Sequence, residues 1–546
     1  MKPLIVAAAA LNQTPLDWSQ NMDNVLAAIA EARTRGAAVL CLPEMCLTGY
    51  GCDDAFYTPG VQQTALDLLG EVASHSAGML ISLGLPLYHQ KALYNTACLL
   101  VDGAIAGFVG KQFLASDGVH YEPRWFKPWP NGRRSDVEIA GQTYPIGDIF
   151  FDCGGVRLGF EICEDAWVAN RPGSDLALRG VDIILNPSAS HFAFDKFAVR
   201  QRFVIEGSRA FGVAYVYANL LGNEAGRLIY DGGTLIASAG ALVARGPRFS
   251  FADRELTCAL IDIDDNRVAQ VRRGSHHPLY DDTDVGCIDI DFSFAWSSIG
   301  GSAGSVPTRS GQSPGTPGTA IPAVAAPLQR PSWEDGPHLD EEEFARSVAL
   351  GLFDYLRKCR AHGFVVSLSG GAASAATAVL VALAGELAAD QLGLARVRER
   401  LAHIPGVAEV SDVRSLIHTL LLCVYQATRN STETTASAAR AVAEAIGGEF
   451  MHLDIDPVVD GYVAMVAGAV GRELAWERDD IALQNIQARA RGPSVWLLAN
   501  LRRSLLLATS NRSEAAVGYT TMDGDTCGGL SPIAGIDKAF LRRWLR

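Results

Sequence analysis

Residues 156–167 read VRLGFEICEDAW, an apolar, strand-like run that ends at a cysteine, and this stretch decides the fold of the first half of the chain. Cys163 is flanked by three carboxylates, Glu161, Glu164 and Asp165. Neighbouring anions raise the pKa of a thiol, so a cysteine that attacks a substrate here needs a dedicated base and a nearby cation. We therefore expect both groups at the ends of other strands.

Length and composition indicate a multidomain chain from a reducing compartment. The chain has 546 residues, too many for one hydrophobic core, and 49% of them are hydrophobic. Its 11 cysteines show no paired spacing, which is typical of free thiols and predicts a cytoplasmic protein. The net charge of −14 argues against an extended contact with phosphate backbones, so nucleic acid is not an expected partner.

Two apolar stretches resemble membrane signals, but neither is predicted to act as one. Residues 4–11 follow a single lysine and lead directly into a polar turn, which favours a buried first strand over a signal peptide. Residues 363–385 carry no charge and are long enough to span a bilayer. They begin, however, with a glycine-rich loop whose exposed backbone lipid does not tolerate. We predict a strand, a phosphate-type loop and a buried helix there, and no membrane partner.

The order of strands and helices predicts two α/β domains joined by a linker. Residues 1–298 repeat apolar strand, turn and amphipathic helix, beginning with a strand at 5–10 and a helix at 20–35. Residues 299–331 are rich in Gly, Ser, Pro, Thr and Ala with almost no charge, which is typical of a linker. Residues 332–546 form the second predicted domain, whose first helix carries anions at its positive end.

The expected base and cation follow two other predicted strands. Glu44 follows the strand at 38–42, and Lys111 follows the strand at 104–109. The ends of parallel strands converge on one crevice, so both can meet Cys163. There Glu44 takes the thiol proton, Cys163 attacks an amide carbon, and Lys111 holds the developing oxyanion, which predicts acyl transfer through a thioester. Taken one at a time, each residue is better explained as a surface charge or a core residue, so the prediction rests on their combination.

The motifs around these three residues resemble those of the nitrilase superfamily. LPE at 42–44, GKQ at 110–112 and EICED at 161–165 stand in that family's order, and the resemblance covers the whole first domain. It implies a four-layer αββα sandwich that hydrolyses a carbon–nitrogen bond of an amide. Glu44 is implied to be the general base, Lys111 the oxyanion stabiliser and Cys163 the nucleophile.

The resemblance also implies residues around this triad. Glu122 matches a second glutamate that orients the lysine and the base. Ser190 and Lys196 match the positions that grip glutamine in the glutaminase branch of the superfamily. Asp117 stands where some members have a tyrosine against glutamine, so one position of the implied pocket departs from the family.

A second site is predicted after the linker. A strand at 364–368 runs into SGGAAS at 369–374 and then into a helix, and paired glycines in that position let backbone N–H groups approach an anion. Such a turn alone is weak evidence, but NIQAR at 485–489, TSNRSE at 509–514 and VGYTT at 517–521 accompany it. Together they resemble the NAD synthetase branch of the N-type ATP pyrophosphatases, which implies a Rossmann-like parallel sheet. With the nitrilase-like half in front, the whole chain resembles the glutamine-dependent NAD synthetase family.

This resemblance implies a two-step synthesis from glutamine, ATP and deamido-NAD. ATP adenylates the nicotinate carboxylate of deamido-NAD with release of pyrophosphate, and ammonia then displaces AMP. Mg²⁺ is implied because adenylation crowds anionic oxygens, and no covalently bound cofactor is implied. The implied ATP-binding residues are Ser369, Gly370, Gly371, Ser374, Thr509 and Lys538. Arg489 and Glu514 are implied to bind deamido-NAD, and Glu514 also to bind the metal.

One position of the second site departs from the implied pattern. The family loop reads Ser-Gly-Gly-x-Asp-Ser, and its metal-binding aspartate is Ala373 here. A methyl group does not hold a cation, so we expect weak Mg²⁺ binding through Glu514, phosphate and water, and impaired adenylation. The family is also expected to continue beyond the position of Arg546, which predicts a shortened nucleotide lid. Its members are usually oligomeric, which implies a homo-oligomer.

Two alternatives stay open from sequence alone. One is an amidase whose second domain binds a nucleotide or regulates without catalysis. The other is a scaffold that keeps both folds and neither chemistry.

Overall fold

The computed structural model describes residues 1–272, 277, 284–297 and 330–546. Their contacts divide into two units, Met1–Pro331 and Ser332–Arg546. The predicted linker at 299–331 lies outside the described residues, apart from its last two positions.

The first unit alternates strands and helices. Its described strands are β1 (Pro3–Leu11), β2 (Val39–Cys41), β3 (Leu80–His89), β4 (Ala92–Val101), β5 (Ala104–Gly110), β6 (Arg134–Ile139), β7 (Gln142–Gly147), β8 (Phe150–Cys153), β9 (Val156–Phe160), β10 (Ile183–Ser188), β11 (Ala214–Asn223), β12 (Ile229–Asp231), β13 (Leu235–Ser238), β14 (Ala241–Arg245), β15 (Arg254–Asp262) and β16 (Cys287–Ile290). Its described helices are α1 (Trp18–Thr34), α2 (Pro59–Ser74), α3 (Glu122–Trp125), α4 (Pro172–Leu178), α5 (Lys196–Phe211) and α6 (Ile263–Val271).

These strands form two sheet layers, and β1 belongs to the first. The main hydrogen-bonded path runs β16-β8-β9-β10-β11-β1-β2-β3-β4-β5-β7-β6. Every residue of β1 is buried, because side chains alternate between two covered faces. Ile5, Ala7 and Ala9 share a core with the apolar residues of α1 and α2. Leu4 and Val6 share a different core with residues of β9, β10 and β11, the second layer.

A second helical layer covers the far side of that second sheet. Ile184 on β10 and Tyr215 on β11 pack with Leu176 of α4 and Val204 of α5. Helix, sheet, sheet and helix therefore follow one another, which confirms the predicted αββα sandwich. The first strand is buried as predicted.

The parallel strands of this unit set the position of the first site. β2 pairs in parallel with both β1 and β3, and β9 pairs in parallel with β10. β1 also pairs in parallel with β11, which joins the two layers where Ala10 lies opposite Asn219. The carboxyl ends of β2 and β9 carry Glu44 and Cys163, as the sequence pattern predicts.

The second unit is built on a parallel sheet of four described strands. These are β17 (Phe364–Ser367), β18 (Leu421–Ala427), β19 (Glu449–Asp454) and β20 (Leu505–Leu507), in the spatial order β19-β18-β17-β20. All three pairings are parallel, which confirms the predicted Rossmann-like sheet. The described helices are α7 (Leu339–Lys358), α8 (Ala372–Leu392), α9 (Leu394–Arg400), α10 (Val413–Leu420), α11 (Glu433–Ile446), α12 (Asp456–Val470), α13 (Trp476–Arg489), α14 (Arg491–Arg502), α15 (Arg512–Ala516) and α16 (Lys538–Trp544).

Helix α8 explains the apolar stretch that resembles a membrane span. Among the described residues it is the helix whose length and composition would allow it to cross a bilayer. Yet 56% of its most apolar window is buried inside the unit. The apolar composition of α8 is thus the composition of a core helix, preceded by the predicted strand and loop.

Candidate functional site

The first site is centred on a buried lysine between two buried glutamates. Lys111 Nζ lies 2.6 Å from Glu44 Oε1 and 2.7 Å from Glu122 Oε1. The side chains of all three residues are at most 1% exposed. Burying an ionised group is costly unless a partner of opposite charge accompanies it, so this arrangement holds all three residues in one place.

Main-chain packing places Glu44 in this cluster. The segment after β2 lies so close to β3 that a Cβ atom at Gly84 would be 2.3 Å from the Met45 nitrogen and 2.8 Å from Glu44 Cα. Only glycine permits that approach. Asn95 on β4 then donates from Nδ2 to Glu44 Oε1 at 2.7 Å, which orients the carboxylate toward Lys111.

Cys163 begins a short 3₁₀ turn, Cys163–Ala166, directly after β9. Its φ of +47° lies in the left-handed region, which a non-glycine residue adopts at an energetic cost that is common at functional positions. The buried carboxylate of Asp165 holds this turn against the segment after β5. It accepts from the backbone N–H groups of Phe113 at 2.8 Å, Gln112 at 3.1 Å and Ile162 at 2.9 Å.

The three carboxylates around the cysteine therefore differ in function. Asp165 is a structural clamp, and burial raises its pKa to about 8. Glu161 points to the far side, where it accepts from Arg171 at 2.6 Å and from Tyr215 OH at 2.5 Å. Glu164 is half-buried, and burial raises the pKa of its carboxyl, while Lys111 opposes the shift.

The electrostatics of the site keep the thiol protonated at rest. Burial, and next the charge of Glu44, raise the pKa of Cys163, while Lys111 lowers it. Burial also raises the pKa of Glu44 against the opposing effect of Lys111, so Glu44 accepts a proton more readily than an exposed glutamate. Burial disfavours the charge on Lys111, but Glu122 and Glu44 outweigh it and raise its pKa. The arrangement is a neutral thiol beside a strengthened base and a permanent cation.

Two atoms of the site are left ready for a ligand or a proton. Glu44 Oε2 and Ser190 Oγ are buried and have no hydrogen-bond partner among the described residues. A lysine ammonium has three N–H donors, and Lys111 uses two of them on Glu44 and Glu122. Its third donor is available for an oxyanion. Proton acceptance, nucleophilic attack and oxyanion stabilisation are therefore all supplied within one buried cluster.

The predicted glutamine-binding residues lie next to this cluster. Lys196 is the first residue of α5, and its Nζ lies 5.4 Å from the centre of the Trp167 ring. Burial, followed by the charge of Arg200, lowers the pKa of Lys196 to about 8, and Cys163 and Glu164 act on it with the opposite sign. A cavity of about 340 Å³ nearby is lined by Tyr50, His120 and Tyr230, among others, but its lining does not include Ser190, Lys196 or Cys163. The predicted roles of Ser190 and Lys196 stay predictions.

The second site has the predicted loop between β17 and α8. Gly370 has a φ of +81°, and a Cβ atom there would lie 2.5 Å from the Thr435 carbonyl oxygen, so the position requires glycine. Ser374 Oγ accepts from the Ser369 N–H at 3.2 Å and donates to the Gly371 carbonyl at 3.1 Å. The loop is thereby closed over the N-terminus of α8, with Gly371 as its N-cap.

A cavity of about 320 Å³ lies at the carboxyl edge of the parallel sheet in the second unit. Ser369 and Thr509, two of the predicted ATP-binding residues, line it together. This edge is where ligands bind in open α/β sheets. The remaining lining includes Tyr425, Gln426, Asn430, Ser431, Thr432, Thr435, Arg491, Gly492 and Asp525.

The other predicted residues of the second site occupy different positions. Glu514 and Lys538 contact each other, with Lys538 Nζ 3.3 Å from Glu514 Oε1. Arg489 lines a separate surface groove with Asn485 and Ile486, and its Nε donates to the Met522 carbonyl at 3.0 Å. Its predicted contact with deamido-NAD stays a prediction.

The residues present do not form a complete Mg²⁺ site. Ala373 lies in the first turn of α8 and offers only a methyl group. Glu514 is occupied by Lys538 and by the Asn511 N–H at 3.3 Å. Within residues 1–272, 284–297 and 330–546, no group of three or more His, Cys, Asp or Glu side chains is placed to hold a metal ion.

Sequence reasoning missed several residues of the first site. Asn95 orients Glu44, Tyr50 OH donates to Glu122 Oε1 at 2.8 Å, and His120 Nδ1 lies 3.2 Å from Tyr50 OH. His120 is two residues from Glu122 in the chain, which was the one local signal. Tyr50 and Asn95 come from other elements, and only the fold brings them to the site.

Comparisons with known proteins match both halves of the chain. The carbon-nitrogen hydrolase family matches residues 5–273, and the NAD synthase family matches residues 344–545. A glutamine-dependent NAD(+) synthetase of Oryza sativa subsp. indica is 32% identical over 582 residues, which cover 100% of this chain and 75% of that protein.

Two solved structures resemble the whole chain. A crystal structure of a glutamine-dependent NAD(+) synthetase from Cytophaga hutchinsonii has 39% identity and a TM-score of 0.80, and covers 100% of this chain and 81% of that one. A glutamine-dependent NAD+ synthetase from Acinetobacter baumannii, in complex with adenosine diphosphate, has 21% identity and a TM-score of 0.70, with the same coverage. The second likeness concerns the fold alone.

Proposed function

Because the chain belongs to the glutamine-dependent NAD(+) synthetase family, we propose that it hydrolyses glutamine in its first unit and amidates ATP-activated deamido-NAD in its second. The observation that carries the proposal is the buried Glu44–Lys111–Glu122 cluster beside the Cys163 thiol. Glutamine, ATP and deamido-NAD are the substrates of this reaction, and NAD, glutamate, AMP and pyrophosphate are its products. A cytoplasmic homo-oligomer is the expected form of the protein.

The first half of the mechanism forms a thioester. Glu44 Oε2 takes the proton from Cys163 Sγ, and the sulfur attacks the side-chain amide carbon of glutamine. The carbonyl oxygen becomes an oxyanion, which the third N–H of Lys111 stabilises. Collapse of this intermediate breaks the carbon–nitrogen bond, and the leaving nitrogen takes the proton back from Glu44 as ammonia departs.

The second half of the mechanism restores the cysteine. Water attacks the thioester carbon while Glu44 accepts its proton, and Lys111 again holds the oxyanion. Carbon–sulfur cleavage releases glutamate, and the thiolate regains its proton from Glu44. Glu122 does not touch the substrate in this scheme, because its bonds to Lys111 and Tyr50 make it a positioning residue.

The second unit is expected to bind ATP against the loop at Ser369–Gly371 and at Thr509. The backbone N–H groups of the loop and the N-terminus of α8 favour an anion there. Because the described residues do not complete a Mg²⁺ site, the metal is expected to depend on phosphate oxygens, water and Glu514. Adenylation of deamido-NAD is therefore expected to be slow.

The nitrogen source tests this function. The full chain is supplied with ATP, deamido-NAD and high Mg²⁺, together with either glutamine or ammonium chloride, and NAD is measured. We expect NAD from both sources, and a Cys163→Ala variant should lose the glutamine-dependent reaction while it keeps the ammonium-dependent one. If NAD forms with neither glutamine nor ammonium chloride, the synthetase proposal is overturned. Continued glutamate release in that case would leave an amidase with a non-catalytic second unit.

A further inference from the structure

A network of side-chain contacts runs from Lys196 to Glu122. Lys196 Nζ lies 3.2 Å from His191 Nδ1, and the same His191 atom lies 2.8 Å from His120 Nε2. His120 Nδ1 lies 3.2 Å from Tyr50 OH, which donates to Glu122 Oε1 at 2.8 Å. The two histidines have no role in the mechanism above, yet they connect the predicted substrate pocket to the catalytic cluster.

The proton positions in this network can be derived by starting from Glu122. Glu122 is ion-paired with Lys111, so its oxygens only accept. Tyr50 has a single O–H and gives it to Glu122 Oε1, so the Tyr50 oxygen accepts from His120 Nδ1–H. Both histidines are neutral, because burial and then the charge of Lys196 lower the pKa of His120 to about 4 and of His191 to about 3.

Neutrality of the imidazoles determines the remaining bonds. A neutral imidazole has one N–H, so His120, protonated on Nδ1, accepts at Nε2. His191 must then donate to it from Nδ1–H. The ammonium of Lys196 has donors and no acceptor, so a charged Lys196 and His191 Nδ1–H place two donors 3.2 Å apart. The hydrogen bonds of the network that leads to Glu122 are all formed only when Lys196 is neutral or its ammonium is bonded elsewhere.

We infer that the carboxylate of the substrate removes this conflict by drawing the Lys196 ammonium away from His191. His191, His120 and Tyr50 then bond in sequence to Glu122, which holds Lys111 for the oxyanion. His191 and His120 are thereby positioning residues that make the first site respond to a substrate carboxylate. A primary amide without a carboxylate leaves the two donors facing each other, so the same contacts select against it. This inference rests on the proposed hydrolysis of glutamine.

The groups around this network leave Lys196 as the cation that can bind the substrate carboxylate. Arg200, one turn further along α5, is bonded through Nη2 to both oxygens of Asp231 at 2.7 and 2.5 Å. The charged or titratable groups that act on Lys196 and the two histidines are Arg200, Asp231, Cys163, Glu164, Glu122, Lys111 and Asp117. Among these described groups, the cations other than Lys196 are held by buried carboxylates.

The test is the pH dependence of kcat/KM for glutamine in the full chain, measured as glutamate release. In the wild-type protein we expect kcat/KM to fall as pH rises through about 8, because the charged form of Lys196 binds the carboxylate. A His191→Asn variant can turn its amide oxygen toward Lys196, which favours the charged form. In this variant the fall of kcat/KM should move to higher pH by about one unit. Its kcat should drop about tenfold, because the network of contacts that leads to Glu122 is broken.

A Tyr50→Phe variant tests the network without changing a residue that contacts Lys196. With no hydroxyl to bond, His120 is free to carry its proton on Nε2 and donate to His191, whose Nδ1 then accepts from Lys196. The fall in kcat/KM should again move to higher pH, an effect passed through two histidines that simple local damage does not produce. The control for His191→Asn is His75→Asn, which makes the same substitution at an exposed helix end. It should leave the pH profile of kcat/KM unchanged.

The outcomes separate this inference from the proposed function. An upward shift in either variant, with an unshifted control, supports the inference. Wild-type hydrolysis with the same profile in both variants overturns it and leaves glutamine hydrolysis standing. If the wild-type protein releases no glutamate, the proposed function itself fails, and the inference with it.

Discussion

The two sites of this chain are built in opposite ways. In the first unit, buried side chains form the site and bond to one another, and Lys111 lies within 2.7 Å of both glutamates. In the second unit, the loop after β17 offers backbone groups and hydroxyls around an open cavity, and the position expected to carry a metal-binding aspartate is Ala373. The side chains of the first site already contact one another, whereas the second site is proposed to depend on the phosphate of the nucleotide and on a metal that accompanies it.

This difference predicts that the two sites respond differently to the loss of one residue. A buried ion-paired cluster loses stability and chemistry together when one member is removed, because the remaining charges are left without partners. A backbone loop keeps its shape when a metal ligand is lost, because the glycine turn and the serine bonds do not involve that side chain. Ala373 is thus compatible with an intact fold and a weakened reaction.

The largest effect is expected from the nucleophile. Cys163→Ala should lower glutamate release about 10⁴-fold or more, because no other group of the cluster forms the thioester. Ammonium-dependent NAD formation should stay within about twofold of the wild-type rate. Cys153→Ala removes another buried thiol of the same unit and controls for loss of packing. Equal glutamate release from the Cys163 variant and this control would remove Cys163 as the nucleophile.

A second large effect is expected from the buried cation. Lys111→Met leaves Glu44 and Glu122 buried without their partner, so the free energy of unfolding should fall by about 3–5 kcal/mol. Glutamate release should fall about 10³-fold through loss of the oxyanion donor. Urea titration and kinetics measure the two effects, with the exposed Lys127→Met as the control. Unchanged stability in the Lys111 variant would mean that the ion pairs do not hold the site together.

A smaller effect, of opposite sign, is expected in the second unit. Ala373→Asp should raise ammonium-dependent NAD formation about 10- to 100-fold and lower the Mg²⁺ concentration required, because it supplies the missing ligand. Glutamate release should not change. Ala372→Asp adds the same charge to the same helical turn and serves as the control. An equal gain in both variants would point to the helix N-terminus rather than to metal binding.

The smallest effect concerns pH. Lys196→Arg replaces an ammonium whose pKa is lowered to about 8, chiefly by burial, with a guanidinium that stays charged across the measured range. The fall of kcat/KM for glutamine above about pH 8 should therefore disappear up to about pH 10. A fall that stays in place would assign it to another group of the first site.

Much of the fold could be predicted because its strands are buried on both faces. The continuous apolar run at 5–10 and the amphipathic pattern at 20–35 correspond to β1 and α1 within two residues at each end. The strand β19 was not predicted, because its residues are at most partly buried and its polar and apolar side chains do not follow a strict period of two. Its place in the sheet comes from pairing with β18.

The sites were predictable to different depths for a physical reason. Glu44, Lys111 and Cys163 each follow a strand, and strand ends share one edge, so their positions together with the motifs around them were enough to predict the cluster. Tyr50 and Asn95 contact the site from distant elements, and no local pattern marks them. In the second unit the loop was predictable from its paired glycines together with the motifs at 485–489, 509–514 and 517–521. The placement of Arg489 in a separate groove depends on how α13 packs, which the motif does not encode.

The difference between the two sites can be read from one reaction mixture. The full chain is supplied with glutamine, ATP, deamido-NAD and Mg²⁺, and glutamate and NAD are quantified at the same time points. A complete first site that feeds a weakened second site should release several molecules of glutamate for each NAD formed, and Ala373→Asp should bring that ratio toward one. A ratio of one in the unaltered chain would contradict the proposal that Ala373 limits the second site.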